Sequence, residues 1–216
     1  QWQSGATSSV RRLCPSPTLL ADGRVLLTGL AEDGLGLSRA AEIYDPHSDT
    51  YALVGDMNAE GCLHTATLLA DGRVLVVGGV APGGVGDATT LELFGPGSGM
   101  FVEVSANAAP RQLHTATRLH SGEVLLVGGY APEAGPDYPS WFGGNTALAD
   151  VEVFDPNEDS LESRTAMPSP RGYHRATLLP GGDVVVTGGG QSLEDQAPTS
   201  ILVYQTATDA WTTVGQ

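Results

Sequence analysis

Three histidines, His64, His114 and His174, stand at the same place in a recurring pattern. Neutral imidazole is a common metal ligand, so three at equivalent positions, where the strands of a repeat would converge, raise a metal-binding reading. The alternative is that each hydrogen-bonds its own neighbourhood, and the splay expected between successive repeats favours that structural role. Carboxylates are plentiful. Asp87, Glu133, Asp137, Asp150 and Glu194 fall in or near loops expected on one face, where a pair could work as acid and base or a group could hold Ca²⁺, although their spacing supports neither. No G-x-S-x-G, H-E-x-x-H or G-x-x-x-x-G-K-[ST] occurs. All ten basic residues are arginine, which rules out lysine Schiff-base chemistry and fits the coding bias of a GC-rich, bacterial-type genome.

The histidines belong to a longer repeat that occurs four times. Its starts are Pro15, His64, His114 and His174; turn glycines follow at Gly23, Gly72, Gly122 and Gly182, and further glycines at Gly29, Gly78, Gly128 and Gly188. From Tyr44, Phe94, Phe154 and Tyr204 it is always seven residues to Tyr51, Phe101, Leu161 and Trp211. A period of 49 to 60 residues holding four short strand-like runs is the mark of a β-propeller blade. The Gly-Gly doublets and spaced aromatics resemble the kelch motif over nearly the whole chain. The resemblance implies an all-β, kelch-type β-propeller in a single domain, 1–216, with four blades of four antiparallel strands at about 15–51, 64–101, 114–161 and 174–211.

Within a blade, the first two strands are nearly all apolar, as for Val74-Leu75-Val76-Val77, which predicts cover on both faces by neighbouring blades. The doublet Gly78-Gly79 marks a place where a side chain would obstruct the approach of backbone. The third strand alternates, and the closing rings Tyr51, Phe101 and Trp211 are expected to wedge between blades. Trp2 precedes Pro15 by the interval that separates Tyr51 from His64, so residues 1–3 are expected to be a surplus outer strand. Four blades leave apolar end faces, and the expectation is a half-ring completed by a second copy of the chain as a homodimer, or else a piece cut from a longer chain.

In an up-down-up-down blade the loops between strands two and three share a face with the start of strand one. The one length irregularity falls in that set of loops. From doublet to aromatic the third repeat is longer than the others by about ten residues, within 130–145. Tyr130, Asp137, Tyr138, Trp141 and Phe142 lie there and are the candidate ligand contacts, the other reading being that the rings pack the loop onto its own blade. The expected ligand is a protein or a carbohydrate.

Arg171-Gly172-Tyr173-His174, followed by Leu178-Leu179-Pro180, resembles the R-x-Y-H segment of galactose oxidase and related copper-radical oxidases. The resemblance implies Tyr173 and His174 as copper ligands. Leu13-Cys14-Pro15 resembles the place where those enzymes carry a cysteine cross-linked to a ligand tyrosine. The matching tyrosine position is Leu63, and the further histidine those enzymes draw from a later domain has no counterpart before Gln216. The expectation is therefore a non-catalytic binding module with no cofactor, the alternative being an active or degenerate copper-dependent carbohydrate oxidase. Cys14 and Cys62 are expected to be near neighbours, either disulfide-bonded or both free; a bond would favour an extracytoplasmic or secreted home.

Composition bounds the partners. With 25 acidic residues the net charge is -15, which repels a phosphate backbone and anionic lipid alike. No apolar run reaches the ~20 residues that span a bilayer, so neither nucleic acid nor membrane insertion is expected.

Overall fold

The structure, a computed structural model, describes residues 5–32, 37–58, 61–80, 90–104, 106, 108–131, 146–192 and 198–215. These residues form strands and turns, with no helix among them. Each repeat makes one four-stranded antiparallel sheet whose strands pair in chain order. Sheet 1 comprises Ser16–Leu19, Val25–Thr28, Glu42–Asp45 and Thr50–Leu53. Sheet 2 comprises Thr65–Leu68, Val74–Val77, Leu91–Gly95 and Met100–Glu103. Sheet 3 comprises Thr115–Arg118, Val124–Val127, Val151–Asp155 and Ser160–Arg164. Sheet 4 comprises Gly172–Leu178, Val184–Gly190, Ile201–Gln205 and Ala210–Val214.

Register is set by turn chemistry and by the alternation of side chains. In the first hairpins, Asp22 and Asp71 accept from the backbone N–H and guanidinium of Arg24 and Arg73, and Gly23 and Gly72 take φ of 87° and 90° between them. The bulky residues spaced by seven face each other across strands three and four: Tyr44 with Tyr51, Phe94 with Phe101, Phe154 with Leu161, Tyr204 with Trp211. The three aromatic pairs have ring centroids 4.8, 4.8 and 5.0 Å apart.

Sheets stack in chain order, and an apolar cluster fills each seam. Leu26 and Ile43 of sheet 1 meet Val74, Val76, Phe94 and Phe101 of sheet 2. Leu75 and Leu93 meet Val124, Leu126 and Phe154 across the second seam; Leu125 and Val153 meet Val184, Val186 and Tyr204 across the third. The first strands of successive sheets also touch one another. Double cover holds fully for the second strands Val74–Val77 and Val124–Val127, which are buried throughout, whereas the first strands Thr65–Leu68 and Thr115–Arg118, expected to share it, are mostly half-buried. It does not hold for the second strands of sheets 1 and 4, where alternate residues are more exposed, because each of those sheets has a sequence neighbour on one side only.

The doublets do what the sequence suggested. A Cβ on Gly78 would lie 2.3 Å from the carbonyl oxygen of Arg111, and one on Gly128 would lie 2.5 Å from that of Arg171. Two small ribbons were not foreseen: Arg11–Arg12 pairs with Ala31–Glu32, which pairs with Leu37–Ser38, and Tyr130–Ala131 pairs with Thr146–Ala147. Residues 1–3, proposed above as a surplus strand, lie outside the described residues.

Candidate functional site at the heads of the first strands

The segments that enter sheets 2, 3 and 4 come together at the heads of the first strands. Leu63, Leu113 and Tyr173, each just before a repeat histidine, all adopt left-handed backbone, with φ of 65°, 53° and 56°. That conformation costs a bulky side chain of order 1 kcal/mol, so surrounding contacts must hold it. They do so in series: the N–H of Leu113 donates to the carbonyl of Leu63 (3.2 Å), and the N–H of Tyr173 to the carbonyl of Leu113 (2.9 Å). Proline at position 15 holds Cys14 away from this geometry in the first repeat.

Behind this chain the three histidines are buried, each bonded through Nε2 to a hydroxyl of the preceding repeat. His64 meets Thr28 Oγ1 at 2.8 Å, His114 meets Thr65 Oγ1 at 2.9 Å and His174 meets Thr115 Oγ1 at 2.9 Å. Ser16 stands where the later repeats have Thr65 and Thr115, and Thr28, its cross-strand partner, supplies the hydroxyl instead. Burial lowers the pKa of His64 and His174 to about 4, the backbones of Gly61 and Arg171 offsetting it only in part. His114, fully buried beside Arg111 and the other two rings, lies well below its ordinary value. The three rings are therefore neutral ties across seams, and Nδ1 of each has no hydrogen bond of normal geometry.

A second layer of polar ties was missed in sequence. Arg12, Arg111 and Arg171, three residues before the repeat starts, donate to the carbonyls of Gly29, Gly128 and Gly188, the glycines that end the second strands of their own repeats, single in the first repeat and doubled in the other two. Arg12 and Arg111 also pair with Glu42 and Glu152, two residues before the repeat aromatic. In the second repeat Gly61 replaces the arginine, and Glu92 accepts from the backbone N–H of Asn58 at 2.7 Å and its side chain at 3.0 Å. In the fourth, Leu202 replaces the acid and Arg171 donates to Ser200 and Ser169. The readable signal was an arginine three before the anchor coupled to a glutamate two before the aromatic.

Cys14 and Cys62 are joined by a disulfide with Cα atoms 5.4 Å apart, linking the approaches to sheets 1 and 2. Tyr173 is 62% exposed, whereas His174 is enclosed in the third seam. Tyr130 is buried, and its hydroxyl donates to the carbonyl of Gly190 across that seam at 3.1 Å. Asp137, Tyr138, Trp141 and Phe142, with Asp87, Glu133 and Glu194, lie outside the described residues; Asp150 is exposed. Two grooves, of about 230 and 360 Å³, open at the other end of the strands, among the first-hairpin turns and the turns between strands three and four. Among the described residues no three His, Cys, Asp or Glu side chains are grouped to hold a metal ion, and no helix is long and apolar enough to cross a membrane.

A copper-radical centre needs a thiol free to bond a tyrosine ring beside it, together with ligands that face one point. Cys14 is already bonded to Cys62, residue 63 is leucine, and His174 Nε2 is engaged by Thr115, as the other two histidines are by their own hydroxyls. The residues present do not fit that group.

No family model matches the chain, and no curated protein matches it. Solved structures do match. The chain is similar to a fungal alcohol oxidase of the AA5 family, solved in complex with copper, with a TM-score of 0.54 and 14% identity over 94% of this chain and 53% of that one. The likeness is one of fold, and the chain spans about half the length of that oxidase.

Proposed function

We propose that the chain is a kelch-type β-propeller module, built like part of the copper-containing alcohol oxidase it resembles, that works as a non-catalytic binding scaffold. The propeller reading is supported by the radial order of the sheets, first strands together and aromatic pairs outward. One observation carries the non-catalytic reading: the cysteine at the cross-link position is spent on Cys62, next to a leucine where the tyrosine would stand. The ligand is a protein or a carbohydrate taken by the loop at 130–145, whose Tyr138, Trp141 and Phe142 offer the flat apolar rings that sugar faces and protein hot spots use.

The second reading is an oxidase relative that still binds copper, and Arg171-Gly172-Tyr173-His174 favours it. Metal analysis of protein purified with copper present, combined with a peroxide assay on sugars and primary alcohols, separates the two. The scaffold reading expects substoichiometric copper and no peroxide. One copper per chain with peroxide released would establish the second reading. On the scaffold reading, Trp141→Ala weakens binding to an array of polysaccharides and glycoproteins at least tenfold; unchanged binding would place the ligand elsewhere.

A further inference from the structure

One place recurs in all three seams, at the end of the strands away from the histidines, and its chemistry differs each time. It lies between the first-hairpin turn of one sheet and the turns of the next. In the second seam it is filled. Arg73, just before strand two of sheet 2, crosses to sheet 3 and donates to both oxygens of Asp159, at 2.8 and 3.1 Å, and to the carbonyl of Pro156 at 2.6 Å. A guanidinium is thus held by a carboxylate and a carbonyl of the next sheet, with Asp71 of its own turn behind it.

The other two seams each lack half of that tie. In the first, Arg24 stands in the place of Arg73, but Gly99 replaces the aspartate. Arg24 pairs with Asp22 of its own turn at 2.7 Å, and a groove of about 360 Å³ stays open. In the third the acceptors are present and the donor is gone. Asp209 matches Asp159 in sequence and in backbone, with φ of 48° against 49°, and Thr206 matches Pro156. Glu123 takes the place of the arginine, so the groove of about 230 Å³ is lined by an acid where the second seam supplies a cation.

The neighbouring groups leave acceptors free there. Arg164, which also lines the groove, is paired with Glu162 at 2.8 Å. Among the described residues the Glu123 carboxylate accepts only from the hydroxyl of Ser121, through Oε2 at 2.7 Å. Asp209 Oδ1 accepts from the Tyr204 hydroxyl and the N–H of Thr165, which leaves Oδ2 only the longer branch of the Thr165 bond, 3.2 Å. Burial first, then Asp209, raises the pKa of the Tyr204 hydroxyl, and Glu123 adds to the rise where Arg164 opposes it.

We propose that the third-seam groove binds an alkylguanidinium group from outside the chain, in the place that Arg73 fills from within it in the second seam. Glu123 and Asp209 accept its N–H groups, and the carbonyl of Thr206 does what that of Pro156 does for Arg73. The group is carried by an arginine of a partner polypeptide or by a small free guanidine, and the net charge of -15 draws either one. This site is independent of the loop at 130–145 and of copper.

Amide chemical-shift titration of the whole chain tests it, with a blocked Gly-Arg-Gly peptide and with agmatine as the two sources. Saturable shifts at Glu123, Thr206 and Ala207 are expected, weakening as salt is raised. Binding of the peptide assigns the groove to a polypeptide, and binding of agmatine with the peptide excluded assigns it to a free guanidine. The same peptide with citrulline, which keeps the shape and loses the charge, should bind at least tenfold more weakly. Glu123→Gln should weaken binding of the responding probe at least tenfold, and Glu123→Arg, which supplies the missing donor from within, should abolish it, with folding of each checked by circular dichroism. No saturable shift from either probe, equal binding of the citrulline peptide, or unchanged affinity in a folded variant would overturn the proposal.

Discussion

The first and third seams carry the same tie and different chemistry around it. In each, a buried imidazole bonds a threonine hydroxyl from the preceding repeat, Thr28 with His64 and Thr115 with His174. Beside His64 stand Leu63 and a disulfide; beside His174 stands the exposed Tyr173. The backbone is left-handed before both histidines, at 65° and 56°. Leucine and tyrosine accept the same strained geometry, so the geometry belongs to the seam. A tyrosine before a histidine here is evidence of scaffold first, and chemistry at that point needs partners the first seam spends on a covalent link.

Acid should disturb all the seams most strongly. The folded-state pKa of His64 and His174 is about 4, below the ~6.5 of an unfolded histidine, so the unfolded chain binds more protons between those values. Stability contributed by the neutral rings is complete above pH 6.5 and is lost as pH falls towards 4, by roughly 3 kcal/mol for each ring. Denaturant midpoints measured from pH 7.5 to 4.5 should decline through this window, and a flat profile would mean that the rings are not held neutral.

Opening the disulfide should separate the first seam from the third. It closes a loop with a sequence separation of 48, for which chain entropy gives about 4 kcal/mol as an upper value. In Cys14→Ser/Cys62→Ser, urea unfolding should shift by a large part of that amount, and hydrogen exchange should quicken at the heads of sheets 1 and 2 while the third seam keeps its protection. Uniform quickening would show that the seams do not differ in this way.

Removing a hydroxyl tests their likeness. Thr28→Val and Thr115→Val each leave a buried imidazole nitrogen without its bond, and each should cost about 1–3 kcal/mol in denaturant titrations. Unequal losses would show that the two ties are not equivalent. The smallest effect is expected for Tyr173→Leu, which makes the third seam look like the first: the ring is exposed, and stability should change by no more than about 0.5 kcal/mol.

Much of this was legible because it is periodic. The spacing of turn glycines and of the aromatic pairs marked out four sheets of four strands, since both features fix register locally. Sheet ends came out differently: sheet 3 runs on to Arg164 and sheet 4 begins at Gly172, extensions that depend on neighbouring strands rather than on the run itself. What escaped was pairing between distant residues whose pattern is broken in some of the repeats. Thr28 stands in for a threonine that repeat 1 lacks, from a different strand, and the ties of Arg12 and Arg111 to Glu42 and Glu152 vary enough between repeats to hide. The left-handed backbone at Leu63 and Leu113 was unreadable, because nothing about leucine announces it.

The account rests on Cys14 being committed to Cys62. Thiol titration of unreduced, denatured protein, followed by peptide mass mapping, reads this directly. The prediction is no free thiol and a single linked pair containing Cys14 and Cys62; a free Cys14 thiol, or a peptide in which Cys14 is joined to a tyrosine, would contradict it.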